Sequence, residues 1–103
     1  MARFKLEFFE DAKAEYETLD GSEKKYVMKA LEKISERGDE IGDPLENKRG
    51  IILVGCRKVK LRKLGIRIVY RLNNNDRIEI IDIIAIGKRD DEEVYKNANK
   101  RIK

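Results

Sequence analysis

The residues with the most chemical potential lie in one stretch, where Lys58, Lys60 and Arg62 alternate with Val59 and Leu61 and are followed by Arg67 and Arg71. Val59 and Leu61 must face the core together with Ile66, Ile68 and Tyr70, since a one-residue slip would expose all of them. The five cations therefore project from the opposite surface. A two-residue turn at Lys63 and Leu64 sets Lys60 across from Arg67; a turn shifted by one residue makes them diagonal neighbours. Like charges opposed across a strand pair cost up to about 1 kcal/mol each. A solvated outer face is the plain explanation for such a run. However, no acidic residue occurs between Asn47 and Asn75, so the strands themselves supply no counter-charge and polyanion binding is the better reading.

Missing residue types narrow the chemistry. Without histidine, paired imidazoles cannot serve as acid and base, and neither Ser-His-Asp nor Cys-His nucleophilic sites can form. Metal binding has little support, because the acidic cluster Asp90 to Glu93 opens a helix, where the helix dipole is reason enough for it. Gly87-Lys88-Arg89 lacks the spacing of a phosphate-cradling glycine loop. What remains is lysine, tyrosine, arginine and carboxylate. An amine beside several cations is disfavoured in its charged form and can act as a base, and Lys58 and Lys60 have that neighbourhood. Tyr95 falls on or beside the apolar stripe of the last helix, where spacing alone favours a core role. Cys56, the one cysteine, excludes an internal disulfide and a cysteine-rich zinc site; it fits a reducing compartment and reads as a small buried residue.

These side chains need a frame. Phe4, Leu6 and Phe8 alternate with charges as in a half-buried strand. Phe9, Ala12, Tyr16 and Leu19 then share one stripe of a helix that Asp20 and Gly21 end, and Ser22 can cap a second helix with Val27, Ala30, Leu31 and Ile34 inward. Ser35 to Gly50 reads as a loop. Strand-like runs follow at Ile51 to Arg62, Ile66 to Leu72 and Arg77 to Ile86, with turn signals at Lys63 to Gly65 and Asn73 to Asp76. The last run is apolar on both faces, which marks an interior strand. Asp90 to Glu93, then Val94, Tyr95, Ala98 and Ile102, then Lys100, Arg101 and Lys103, describe a final helix with acid at its start and base at its end. The expectation is an α+β fold of order β-α-α-β-β-β-α, with an antiparallel sheet of about four strands, two N-terminal helices and a short C-terminal helix.

The 103 residues fit a single domain, 1–103, with one core and one site. Hydrophobic residues make up 41% and charged residues 43%, so a core forms only if the apolar set is sorted onto particular faces. The net charge of +4 is too small to establish a nucleic-acid partner by itself. Met1 to Phe9 lacks the unbroken apolar stretch of a signal peptide or membrane span, so a cytoplasmic protein without membrane association is expected.

In order of elements and in residues, the chain resembles the RelE family of the RelE/ParE toxin superfamily. The resemblance runs nearly end to end. It is most specific in Cys56-Arg57-Lys58-Val59-Lys60-Leu61-Arg62, Gly65-Ile66-Arg67-Ile68-Val69-Tyr70, Gly87-Lys88-Arg89, Glu93-Val94-Tyr95 and Lys100-Arg101-Ile102. It implies a metal-independent, cofactor-free endoribonuclease that cuts mRNA in the ribosomal A site by attack of a 2′-hydroxyl on the adjacent phosphate. The family's site residues fall on Lys58, Lys60, Arg67, Arg89 and Tyr95. By the same resemblance, Lys60 with Lys58 promotes proton removal, Arg67 and Arg89 hold the phosphorane oxygens, Arg89 is the leaving-group acid, and Tyr95 stacks on a base. Arg57, Arg62, Arg71, Lys88, Lys100 and Arg101 would contact RNA or ribosome. Arg57 is a departure from the family pattern, either broadening ribosome binding or merely exposed. The resemblance also implies a cognate antitoxin that wraps the toxin and blocks or displaces its C-terminal helix. Two other readings compete: a ParE-like toxin that inhibits gyrase without cutting RNA, and a small RNA-binding domain without catalysis. ParE-like members generally lack the full set of basic and tyrosine residues, and here all five positions are filled.

Overall fold

The computed structural model describes residues 3–45, 55–75, 78–88 and 91–102. Through them the chain runs β1 (Lys5–Phe8), α1 (Glu10–Glu17), α2 (Gly21–Arg37), β2 (Asp43–Pro44), β3 (Cys56–Leu61), β4 (Ile66–Asn75), β5 (Ile78–Lys88) and α3 (Asp91–Ile102). The expected α+β fold is present, but the sheet among the described residues is mixed and five-stranded, in the order β1-β5-β4-β3-β2. The meander β3-β4-β5 is antiparallel as expected, whereas β1 joins β5 in parallel, with Lys5 across from Ile80. The fifth strand has only two residues, Asp43 and Pro44, paired with Lys58 and Arg57. Two residues carry no periodicity, and the direction of β1 depends on where the helices return the chain; neither is a local property. Residues 51–54, expected to begin the strand that contains Lys58, lie outside the described residues.

Helix boundaries follow from capping. α1 stops at Glu17, and Asp20 rather than Ser22 is the N-cap of α2. Asp20 Oδ1 accepts from the Glu23 amide at 2.8 Å while Glu23 Oε1 accepts from the Asp20 amide at 3.2 Å, a reciprocal capping box. Ser22 donates its hydroxyl to the same Asp20 oxygen at 3.0 Å. The Glu23 amide foremost, with the Ser22 hydroxyl, holds the Asp20 carboxyl below the ordinary aspartate range.

Both faces of the sheet are covered, as the doubly apolar last run required. Against one face, Ala12 of α1 and Val27, Ala30, Leu31 and Ile34 of α2 pack on Ile66, Ile68, Tyr70, Ile81, Ile83 and Ile86. Against the other, Val94 and Ala98 of α3 pack on Cys56, Val69, Ile84 and Ala85. The register shifts at a β-bulge, since Val69 pairs with Ala85 but Tyr70 pairs with Ile83. The extra residue, Ile84, turns to the α3 side beside Ala85, which is how successive isoleucines serve two cores. Burial is complete at Cys56 and pushes its thiol pKa up.

One edge would be left with unmet backbone groups. β1 ends at Phe8, across from Ile83, and the chain turns into α1, so among the described residues no strand flanks β5 on the β1 side from Ile84 onward. Side chains fill in. Glu15 Oε1 accepts from the Ile86 amide at 3.1 Å, and Arg101 Nη1 donates to the Ile84 carbonyl at 2.9 Å and to Glu15 Oε1 at 2.7 Å. This pair closes the sheet edge and ties α1 to α3.

Candidate active site

The α3-facing side of β3 and β4 carries the cations that the alternation places there. Lys60 pairs directly with Arg67, the first of the two turn registers. The four-residue turn from Arg62 to Gly65 sets it: the Leu64 amide bonds to the Leu61 carbonyl at 3.1 Å, and Gly65 adopts a φ of 67°, a left-handed conformation favouring glycine. Arg67 Nη1 donates to the Gly65 carbonyl at 2.8 Å, fixing the guanidinium near the turn. Lys58 lies two residues from Lys60 on the same face. Its Nζ stands over the Tyr95 ring, 5.5 Å from the centroid, within cation-π range.

α3 brings Tyr95 to this surface by packing Val94 and Ala98 into the sheet. Gly87, the register partner of Arg67, makes the close approach possible, because a Cβ there would overlap Val94 Cγ2. Tyr95 is half-buried against the Val69-Ile84-Ala85 cluster, with its hydroxyl oxygen shielded from solvent. It is thus both part of the core, as spacing suggested, and a neighbour of Lys58. Lys58, Lys60, Arg67 and Tyr95 share this one surface. Arg89 lies outside the described residues.

Several cations expected to meet RNA have other occupations. Arg57 is on the opposite face of β3 from Lys58, and its Nη1 donates to the carbonyls of Ile41 at 3.2 Å and Gly42 at 3.4 Å. Beside it the buried Tyr70 hydroxyl is shared between the Gly38 and Ile41 carbonyls at 3.0 and 2.8 Å, and burial pushes its pKa up to about 12. Arg57 and Tyr70 together hold the segment that leads to β2. Arg71 is on the expected face, but its Nε donates to Asp82 at 3.1 Å. Lys88 forms an ion pair with Glu23 at 2.6 Å. Arg101 is the sheet-edge clamp; its hydrogen bonds to Glu15 raise its pKa, and only 14% of its side chain is exposed. Arg62, Lys88 and Lys100 are exposed, as an RNA-contacting role requires.

These intramolecular pairings share a cause: each partner is distant in sequence or on another element. One signal was available, since Asp82 is the lone acid within the stretch Ile80 to Ile86, which is otherwise apolar, and a carboxylate buried there must find a donor. It takes Arg71 and the Asn73 amide, both at 3.1 Å. Nothing local marked Glu15 for β5. Among the described residues no group of three or more Cys, Asp and Glu is arranged to hold a metal ion, and no helix is long and apolar enough to cross a membrane.

The family described as the ParE toxin of the type II toxin-antitoxin system, parDE, matches residues 2–93. The mRNA interferase toxin RelE of Escherichia coli K12 is 35% identical over 102 residues, which span 99% of this chain and 99% of that one. A solved structure of the E. coli toxin RelE, a double arginine-to-alanine mutant in the free state, is similar with a TM-score of 0.75 at 33% identity over 100% of both chains. The same mutant in complex with an antitoxin RelBc peptide gives a TM-score of 0.66 at 28% identity over 95% of each chain. Similarity of this extent in sequence and fold, with the lysines and arginine on one sheet face beneath the last helix, has one consequence: the chain belongs to the RelE/ParE superfamily of type II toxin-antitoxin toxins.

Proposed function

We propose that this toxin is an endoribonuclease that cuts mRNA in the ribosomal A site without a metal, using the surface shared by Lys58, Lys60, Arg67 and Tyr95. The observation that carries the reading is the direct pairing of Lys60 with Arg67, with Lys58 beside them. A like-charged pair held by register on a face that a helix partly covers is costly for the fold and suited to one phosphodiester. Lys60, assisted by Lys58, takes the proton from the 2′-hydroxyl. The resulting oxygen attacks the adjacent phosphorus, and Arg67 donates to the non-bridging oxygens as negative charge builds on them. The bond to the 5′-oxygen breaks, leaving a cyclic phosphate and a 5′-hydroxyl. By resemblance to the family, Arg89 supplies the proton to that departing oxygen and shares the phosphorane charge, and Tyr95 stacks on a base. Exposed Arg62, Lys88 and Lys100 are placed for wider RNA or ribosome contact.

A relative named mRNA interferase toxin RelE supports the nuclease reading, and a RelE structure containing an antitoxin peptide supports a cognate antitoxin as partner. Action on ribosomes places the protein in the cytoplasm. Primer extension on mRNA during in vitro translation tests the reading: breaks are expected at codon-spaced positions and only when ribosomes are present. Intact mRNA at full toxin dose would overturn it. The description of the matched family favours a second reading, a ParE-like inhibitor of gyrase; a supercoiling assay with purified toxin decides that one, inhibition supporting it and the nuclease reading predicting none.

A further inference from the structure

β1 stands at an edge of the sheet, and the stretch Phe4-Lys5-Leu6-Glu7-Phe8 keeps its pattern when read backwards, with the two charges exchanged. The Phe9 amide bonds to the Ile83 carbonyl of β5 at 2.9 Å. Backbone groups alternate in direction along a strand, so the amides and carbonyls of Phe4, Leu6 and Phe8 point away from β5. The Phe4 amide accordingly goes to the Ser35 carbonyl of α2 at 2.7 Å; among the described residues Leu6 and Phe8 have no backbone partner on that side. Leu6 faces the α1 and α2 core, and Phe8, on the same side, is 37% exposed. Lys5 and Glu7 are exposed on the α3-facing side.

An exposed strand edge is a template for another strand, and charge on it deters pairing. Here the charges are opposite in sign and share one face, so they oppose most registers and favour one. Antiparallel pairing about Leu6 sets Lys5 across from Glu7 of a second copy, Glu7 across from its Lys5, and Leu6 across from its Leu6. A slip of two residues either way sets lysine against lysine or glutamate against glutamate, which is unfavourable. In the favoured register the two Leu6 residues exchange both backbone bonds, and each Phe8 amide meets the Phe4 carbonyl of the other copy. We infer that the outer edge of β1 is a self-association surface whose partner is a second copy of this chain, joining two sheets across a two-fold axis at Leu6. The surface on β3 and β4 lies at the far side of the sheet and stays open, so the inference does not rest on the nuclease reading. One short strand pair makes a small interface, and interfaces below about 1,200 Å² in total are weak. Half-association is accordingly expected at a concentration on the order of 0.1 mM.

Sedimentation equilibrium and 1H-15N spectra of the wild-type protein, from about 10 µM to about 1 mM, test this. The average mass is expected to rise towards twice that of one chain. The Leu6 and Phe8 amides move downfield with concentration as they gain hydrogen bonds, while those of Lys5 and Glu7, which point towards β5, stay in place. Glu7→Lys raises the dissociation constant at least about ten-fold, and adding Lys5→Glu, which exchanges the charges, restores it to within about three-fold. Rescue of this kind separates pairing from a loss of fold, and both positions are exposed. A protein that stays monomeric throughout the range overturns the inference. So does association that Glu7→Lys leaves unweakened, that the double variant fails to restore, or that moves amides elsewhere and not those of Leu6 and Phe8. A wild-type protein that pairs through β1 and cuts no mRNA overturns the nuclease reading and leaves this one standing.

Discussion

Lys60 and Arg67 meet across β3 and β4 because the turn at Arg62 to Gly65 allows one register, and the proposed reaction depends on that pairing. Loss of a group that moves a proton or holds developing charge typically costs about 10² to 10⁴ in rate. Lys60→Ala and Arg67→Ala are therefore each expected to abolish most codon-spaced cleavage in the primer-extension assay while leaving circular dichroism and melting cooperativity unchanged. Arg71 belongs to the other kind of cation. It neutralises Asp82, whose side chain is only 5% exposed. Removing one partner leaves the buried carboxylate with Asn73 as its side-chain donor among the described residues, at a cost of about 1.5 to 3 kcal/mol for a hydrogen bond to a charged group. Arg71→Ala should lower the urea midpoint by a corresponding amount, and an unchanged midpoint would show that the pair contributes nothing.

The position of α3 decides whether these side chains form a site. Gly87 lets the helix sit close to β5, since any Cβ would overlap Val94. Gly87→Ala is expected to push the helix outward, accelerate amide hydrogen exchange in Val94 to Ile102 and lower kcat, although no proposed reacting group has changed. At the other end of the molecule, the Asp20 cap of α2 makes stability depend on pH. The Glu23 amide and the Ser22 hydroxyl depress the Asp20 pKa in the folded state. A carboxyl depressed on folding contributes stability that is present above its unfolded value and is lost as pH falls through the folded value. Asp20→Ala should therefore melt below wild type at neutral pH, and the gap should narrow as pH drops below about 4. Parallel melting curves across that range would sink the assignment.

As a whole the molecule is a covered sheet measuring 35 × 34 × 23 Å, and its charge is divided by function more than its composition suggests. Of the cations expected to meet RNA, Arg57, Arg71, Lys88 and Arg101 serve the fold through carbonyls or carboxylates. Arg62, Lys88 and Lys100 are exposed. Affinity for a polyanion falls with salt in proportion to the phosphates neutralised, at roughly 0.7 to 0.9 per contact on a log-log plot. Measured by fluorescence anisotropy on an RNA fragment, Arg67→Ala is expected to reduce that slope by about one, and Arg101→Ala to leave it unchanged while lowering stability. Equal loss of slope in both would return Arg101 to the binding surface.

Alternation in the sequence by itself determined which face of β3 and β4 is charged, and the stretch from Ile80 to Ile86, apolar on both faces apart from Asp82, determined that β5 is covered on both sides. Both are period-two properties of consecutive residues. Family resemblance, carried by short local motifs, then selected Lys58, Lys60, Arg67, Arg89 and Tyr95 from many charged and aromatic candidates. Only the tertiary structure decided that Arg101 closes a sheet edge, that Arg57 turns away to hold the Ile41 carbonyl, and that Tyr95 lies beneath Lys58. Each of those outcomes joins groups from 16 to 86 residues apart. Periodicity reports which way a side chain points from its own strand or helix, not which distant element arrives to meet it.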